Sequence, residues 1–398
     1  MSKHFTRINI KIGLVQGFYM MALCVCLSFI VRLLKSYGYS DYECGIALSC
    51  GAFASLTVQP LMGWMADHVK SAGRLIVCIF ITSCIGATSL VFVHQSRLAT
   101  YISVYLLFGA VRSLTYIIDV WSVEVGSPDP SFSYGFTRSF GSVSYSIASL
   151  VYGFAIDIFG TGFLIPCFLT LSVVAIGMVI LVSSTSGSSP DNEPEQKKSY
   201  FGFKHSLVAL FSNKHYVMLL LCFTLMEIGR MPGQNYLTRK FEVMGAGEVY
   251  TGIAFLVMSM LQLLPLNKMD SLKRRFRPTT LMWVALAGIF LRIVLFGISS
   301  SAIGTLCALL VEPIGLGLYI GAIIFYTLHY LPPEVRFLGI TIHSAITGGL
   351  GGMIGNYIAG LLADRYGVLK MYKLITIPSA LGLAIFSICI IAWRNDSD

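Results

Sequence analysis

About twelve apolar runs, each as long as a bilayer core is thick, follow one another through this 398-residue chain and leave little sequence between them. A span needs about 20 apolar residues at a rise of 1.5 Å each. Runs of that length lie near 9–34, 44–66, 74–93, 98–124, 136–158, 161–183, 214–238, 248–266, 279–297, 301–329, 336–362 and 372–393. Backbone in lipid must satisfy its own hydrogen bonds, so such runs become helices. With 56% hydrophobic and 12% charged residues, no soluble domain could hide the apolar surface. The fold class expected is an all-α polytopic membrane protein with twelve transmembrane helices.

The only long hydrophilic stretch, Ser183–Ser206, reads as a flexible cytoplasmic linker rich in Ser, Pro and charge. It divides the chain into an N-terminal six-helix bundle (1–183), a linker (184–206) and a C-terminal six-helix bundle (207–398). The net charge of +9 follows topology rather than marking a nucleic-acid footprint. Lys3, Arg7 and Lys11 precede the first run, and Lys70 and Arg74 follow the second. Lys197, Lys198, Lys204 and Lys214, then Lys268, Lys273, Arg274, Arg275 and Arg277, fall on the same side if helices alternate. The opposite loops carry fewer (Arg32, Lys35, Arg97, Arg239, Lys240, Arg365, Lys370, Lys373), which places both termini in the cytoplasm. The first run is too long for a signal peptide and lacks a small-residue cleavage site, so it is expected to be retained. Ten cysteines are scattered without metal-ligand spacing and read as reduced thiols; no metal or cofactor is expected.

Charged residues inside these runs are the functional signal. Asp119, Arg138, Arg112, Glu227, Arg230, Arg292 and Glu312 all sit in stretches otherwise fit for lipid. Each costs about 2.5–3.5 kcal/mol to insert unless paired or wetted, and such charges are kept where a polar solute or ion is handled. A second signal is repetition. Gly63-x-x-x-Asp67 (with Arg74 after it), Gly153-x-x-x-Asp157 and Gly360-x-x-x-Asp364 recur at corresponding helix ends, as nested three-helix repeats would leave them. The glycine lets helices approach, and the aspartate can cap a neighbouring helix or pair with a base. Gly63, Asp67 and Arg74 are therefore candidates for a contact that holds one conformation and breaks in another. Helix 5 and helix 11 are rich in Gly and Ser at spacings that allow tight or sliding packing.

These residues resemble the major facilitator superfamily. Gln59-Pro60-Leu61-Met62-Gly63-x-x-x-Asp67 with Gly73-Arg74 is similar to its signature between helices 2 and 3. Tyr134-Gly135-x-x-Arg138-x-x-Gly141-Ser142 resembles helix 5 of the branch holding lactose permease, nucleoside:proton symporters and phenylpropionate permeases. Leu331-Pro332-Pro333-Glu334-Val335-Arg336 and Gly348-Gly349-Leu350-Gly351-Gly352 resemble that branch at helix 11. The resemblance implies that Arg138 and a helix 4 carboxylate, Asp119 first and Glu124 second, bind sugar hydroxyls. It also implies that Tyr145 stacks on the solute and that Arg292 and Glu312 take part in proton coupling. The permease's helix 10 histidine, helix 11 lysine and helix 8 glutamate have no counterpart here.

The chemistry of the residues agrees with several of these roles. Arg138 can donate two parallel hydrogen bonds to vicinal hydroxyls or to a carboxylate. Asp119 accepts from hydroxyls and neutralises Arg138 when no solute is bound. Arg112, seven residues before Asp119 on one helical face, is a second candidate partner. A structural ion-pair network between helices 4 and 5 is the alternative. Glu312 is a carboxyl in an apolar segment with Arg292 near it, suited either to loading a proton or to a static buried pair. On helix 7, Glu227 and Arg230 are i,i+3 neighbours, with Gln234 and Asn235 continuing a polar stripe, and Pro232-Gly233 is expected to break that helix. His343 reads as a packing histidine, with titration as the alternative. The whole points to proton-coupled uptake of a small polar solute such as a sugar or glycoside, by a monomer in the bacterial inner membrane. A nucleoside or aromatic-acid permease is the alternative, and drug efflux a more distant one. The partners expected are solute, proton and membrane lipid, not nucleic acid. No catalytic triad, zinc motif or phosphate loop suggests an enzyme.

Overall fold

The computed structural model describes residues 6–69, 71–185, 203–266 and 268–393, without the side chains at 63, 64, 67, 68, 185, 203, 204, 263, 266, 270, 334 and 337. Every regular element among them is helical. Eleven helical stretches are long and apolar enough to cross a membrane, and the shorter Glu248–Gln262 supplies a twelfth apolar segment. The chain is thus the all-α, multi-pass membrane protein expected. By chain contacts it divides into two compact units, Met1–Glu193 with Leu237–Ser259, and Pro194–Tyr236 with Met260–Asp398.

The first unit holds α1 (Arg7–Ser36), α2 (Asp41–His68), α3 (Ala72–Val93), α4 (Arg97–Gly126), α5 (Tyr134–Phe159) and α6 (Leu164–Thr185). Helix α1 is apolar all round and becomes the hub, packing on α5 and α6, while α4 packs on α2 and α3. Ile12, Val15, Phe29 and Leu34 are accordingly buried, whereas Ile85 and Phe92 of α3 and Phe154 and Ile158 of α5 stay exposed for lipid. Ser40 and Glu43 form a capping box that starts α2.

The segment Leu237–Ser259 joins this unit through the Gly-x-x-x-Asp repeat of α5. Asp157 accepts the backbone N–H groups of Glu248 (2.7 Å) and Val249 (3.0 Å), at the start of a helix running Glu248–Leu266. A Cβ on Gly153 would lie 2.6 Å from the Glu248 carbonyl oxygen, and one on Gly252 2.5 Å from that of Ser149. Both halves of the repeat therefore do what its chemistry suggests: the glycine permits contact and the aspartate caps. Gly252→Val forces this crossing apart and is expected to cost about 1–3 kcal/mol, read as a lowered Tm in detergent. An unchanged Tm would contradict the crossing.

In the second unit, α7 (Phe203–Ser212) leads into α8 (Lys214–Asn235); α9 (Leu237–Val243) and the first half of α10 (Glu248–Leu266) belong to the first. Then come α11 (Met269–Arg275), α12 (Pro278–Ile298), α13 (Ala302–Ala308), α14 (Leu318–Tyr330), α15 (Arg336–Ser344), α16 (Gly352–Tyr366), α17 (Val368–Leu374) and α18 (Thr376–Ala392). The expected break at Pro232-Gly233 does not occur. Helix α8 runs through to Asn235, with a turn at Tyr236. Its neighbours hold the weakened stretch: the Tyr372 hydroxyl donates to the Gly233 carbonyl (2.7 Å), and Gly355 lies against the backbone of Ile228.

Two spans depart from α geometry at their centres. Residues Pro313–Gly317 form a kink, and Ala345–Gly351 are π-helical. The first contains Gly315 at φ −81°, ψ −109°, where the backbone meets Gly288 of α12 so closely that a Cβ on Gly288 would lie 2.6 Å from the Gly315 nitrogen. The second is the glycine-rich face of helix 11, packed on α8, where a Cβ on Gly351 would lie 2.9 Å from the Thr224 carbonyl oxygen.

Candidate functional site

Helices α4 and α5 bring the first pair together. Arg138 Nε lies 3.3 Å from Asp119 Oδ1, with side chains 31% and 23% exposed inside otherwise lipid-fit spans. A charge pair held open in this way can exchange partners. Gln16 of α1 fixes the carboxylate: its Nε2 donates to Asp119 Oδ1 (2.9 Å) and reaches Ser122 Oγ at 3.3 Å. Glu124, the second choice for the carboxylate, is exposed near the end of α4.

Arg112 has other company. Seven residues along α4 is about 10 Å, two turns from Asp119. Its Nη1 reaches Ser55 Oγ at 3.5 Å, and its guanidinium lies 5.5 Å from the Phe108 ring. Tyr145 is partly exposed, sharing a 2.8 Å hydrogen bond with Ser28 and meeting Phe255 edge-on at 6.4 Å. Its hydroxyl is thus engaged while its ring borders an aromatic neighbour. Gly63 and Asp67 lie outside the described side chains, and Arg74 is exposed in the first turn of α3.

The second unit carries a longer polar chain. Glu227 and Arg230 form a two-pronged pair, Nε to Oε1 at 2.6 Å and Nη2 to Oε2 at 2.8 Å, and Arg230 Nη1 donates to Gln234 Oε1 at 3.2 Å. Asn235 Nδ2 donates to Asn356 Oδ1 of α16 at 2.9 Å. Arg292 of α12 donates to Glu312 at 2.7 Å, and Gln262 donates to the other oxygen at 2.9 Å. The Arg292 and Glu312 side chains are only 3% and 1% exposed. The kinked segment Pro313–Gly317 begins one residue after Glu312, so the carboxylate sits at the point where the span changes geometry. Arg230 lies in the field of both Glu312 and Tyr319, which links these groups into one cluster.

A charged network that the sequence did not announce ties α1, α2 and the segment from Leu237 together. Arg32 contacts Glu242 (2.6 Å) and Glu248 (3.2 Å), and Arg239 contacts Asp41 (3.1 Å) and Glu242 (2.9 Å). Lys35 lies 3.4 Å from Asp41. An open cavity of about 300 Å³, lined by Arg32, Lys35, Ser36, Thr161 and Glu242, adjoins it. Although burial works against it, Arg239 and Arg32 hold the Glu242 carboxyl below its ordinary range.

Lys240, fully buried beside this network, gives a pH test. Burial pushes its ammonium down to about 7. The unfolded chain keeps that proton to about pH 10, so it binds more protons than the folded chain above pH 7. Stability is therefore expected to rise with pH from about 7 to about 10. Lys240→Met should raise Tm at neutral pH and flatten the rise; a slope that survives the change would rule Lys240 out.

Sequence reasoning missed Gln16, Gln262 and Asn356. The first two carried a legible signal, an amide in mid-span among apolar residues, since a buried amide in lipid demands a partner.

Comparison with known proteins extends over nearly the whole chain. The profile of the MFS_1 like family matches residues 10–374. Uncharacterized transporter YwbF of Bacillus subtilis (strain 168) is 22% identical over 427 aligned residues, covering 98% of this chain and 96% of that protein. The crystal structure of nucleoside transporter NupG superposes with a TM-score of 0.78 at 14% identity, covering 96% of this chain and 98% of that one. A bacterial homologue of the human lysosomal transporter Spinster, inward-facing and unoccupied, gives 0.72 at 12% identity, covering 100% and 99%. At such identities these structures speak to the fold alone.

Proposed function

Because the chain belongs to the MFS_1 like family, we propose that it performs proton-coupled uptake of a small, hydroxyl-rich solute, a sugar, glycoside or nucleoside, by alternating access. The chain is a transporter of the major facilitator type; solute and coupling are the proposal. The Asp119–Arg138 pair carries it. Both groups are partly exposed within the membrane-spanning segments, and together they offer a forked donor and an acceptor to adjacent hydroxyls. A sugar ring and a ribose present the same vicinal hydroxyls, and NupG, similar in fold, is a nucleoside transporter. Proton coupling is assigned to Glu312, buried against Arg292, where losing or gaining a proton changes the charge of an otherwise neutral pair. The basic loops support cytoplasmic termini, and the bacterial inner membrane is the location proposed. A monomer is the working unit proposed.

The test is flux into proteoliposomes under an imposed pH gradient, with labelled lactose, uridine and phenylpropionate. The expected result is uphill accumulation of a hydroxylated solute that a protonophore abolishes. Accumulation of phenylpropionate alone would favour an anion site, and gradient-independent flux would remove the proton.

A further inference from the structure

We propose that His343 is a second protonation site of the transport cycle, distinct from the Arg292–Glu312 pair. This rests on the proton-coupled reading above. The imidazole is 2% exposed, and its Nε2 shares a 2.6 Å hydrogen bond with the Tyr319 hydroxyl of α14. Phe223 of α8 tilts against it with centroids 5.2 Å apart, and Phe223 itself stacks on Tyr319 at 4.1 Å and 5°. The other ring nitrogen, Nδ1, is buried without a hydrogen-bond partner.

A ring present only for packing gains nothing from that nitrogen. The Nε2 bond answers the Tyr319 hydroxyl, but Nδ1 stays an unmet polar atom, which is costly in an apolar interior. The bare nitrogen is useful only if another state of the cycle brings it water or a proton.

The charged groups around it are already engaged. Along α8, Glu227 and Arg230 bind each other. On α14, the facing titratable group is Tyr319. Helix α16 brings Asn356, held by Asn235, and at its far end the exposed Asp364 and Arg365. Glu312 holds both Arg292 and Gln262, so a proton arriving there must loosen a buried arginine. A proton arriving at His343 breaks no ion pair. With Nε2–H donating to the Tyr319 oxygen, the Nδ1 lone pair accepts a proton from water and forms imidazolium; the same N–H bond breaks when the proton returns to water on the other side.

The backbone is built to move there. The kink at Gly315 lies four residues before Tyr319, and the π turn Ala345–Gly351 begins two residues after His343. A π turn relaxes to α by shifting one residue, a small motion that changes what faces the ring.

The test uses full-length protein in lipid nanodiscs labelled with [15N]histidine, the His343 resonance being the one lost in His343→Gln. It is expected to be neutral at about pH 7 and to pass to imidazolium as the pH falls. Tyr319→Phe is expected to move the midpoint by about one unit, a tenfold change in proton affinity. A resonance that stays neutral down to the pH at which the protein unfolds overturns the proposal, and an unmoved midpoint overturns the part given to Tyr319. Should His343→Gln fail to fold, the signal displaced by Tyr319→Phe identifies the same residue. In proteoliposomes, His343→Gln is expected to keep uridine or lactose counterflow but lose the roughly tenfold accumulation that one proton drives per pH unit. If the unaltered protein accumulates neither solute, the uptake reading fails, while the titration still decides His343.

Discussion

Arg292→Met alone is expected to destabilise the second unit by about 3–5 kcal/mol, because it strands the Glu312 carboxylate in an apolar interior. Glu312→Gln alone leaves Arg292 with an amide instead of a charge and should cost a similar amount, less what the amide recovers. The double change removes both charges together and is expected to return most of the lost stability, since a buried ion pair often matches or trails a neutral replacement. Thermal unfolding of the four proteins in detergent closes the cycle. The 3% and 1% exposure of these side chains is why the coupling should be large; an exposed pair is worth about 0–1 kcal/mol. Additive single effects would mean the two charges do not depend on each other. Transport separates structure from coupling, because Glu312→Gln should remove the accumulation its own proton drives, roughly tenfold per pH unit, while sparing exchange of solute.

Arg138→Lys is expected to lower transport by about 10–100-fold, the loss of one charge-assisted hydrogen bond of roughly 1.5–3 kcal/mol, with little change in Tm. Lysine keeps the charge opposite Asp119 but not the planar fork, so static ion pairing would survive while two-point recognition would not. The Arg138 side chain is 31% exposed, which leaves room for the shorter contact without unfolding the helix. Transport unchanged in this variant would assign the pair to structure. Asp119→Asn completes the comparison. A neutral, hydroxylated solute needs Asp119 as acceptor, whereas an anionic solute relies on the arginine and tolerates the loss.

The fold was legible because its physics is local. A bilayer requires about 20 apolar residues per helix, and that count survives in the sequence whatever the tertiary arrangement. The Glu227–Arg230 pair was legible for the same reason, being three residues apart on one helix. Asp119 with Arg138 and Arg292 with Glu312 join different helices; they became readable through the cost of charge in lipid and through family resemblance. Beyond that, periodicity carries no information about which distant side chain answers which. Nothing in the run around Gln16 says that its amide meets Asp119, 103 residues away. The Pro232-Gly233 break was misjudged because a proline weakens a helix only as far as its neighbours allow. Here the Tyr372 hydroxyl and the Gly355 contact hold the helix in place. The kink at Gly315 and the π turn at Ala345–Gly351 have no local signature beyond glycine content, since they arise where two backbones cross.

The ion pairs of this molecule fall into two kinds that would respond differently to the surrounding medium. Arg32, Arg239, Glu242 and Lys35 are partly open to solvent, whereas Arg292 and Glu312 are sealed. Dissolved salt screens the first kind and barely reaches the second. Brine and fresh water would therefore set how firmly the stretch from Leu237 is fastened while leaving the deep carboxylate indifferent, so a cell's surroundings could adjust one fastening of this carrier independently of the other.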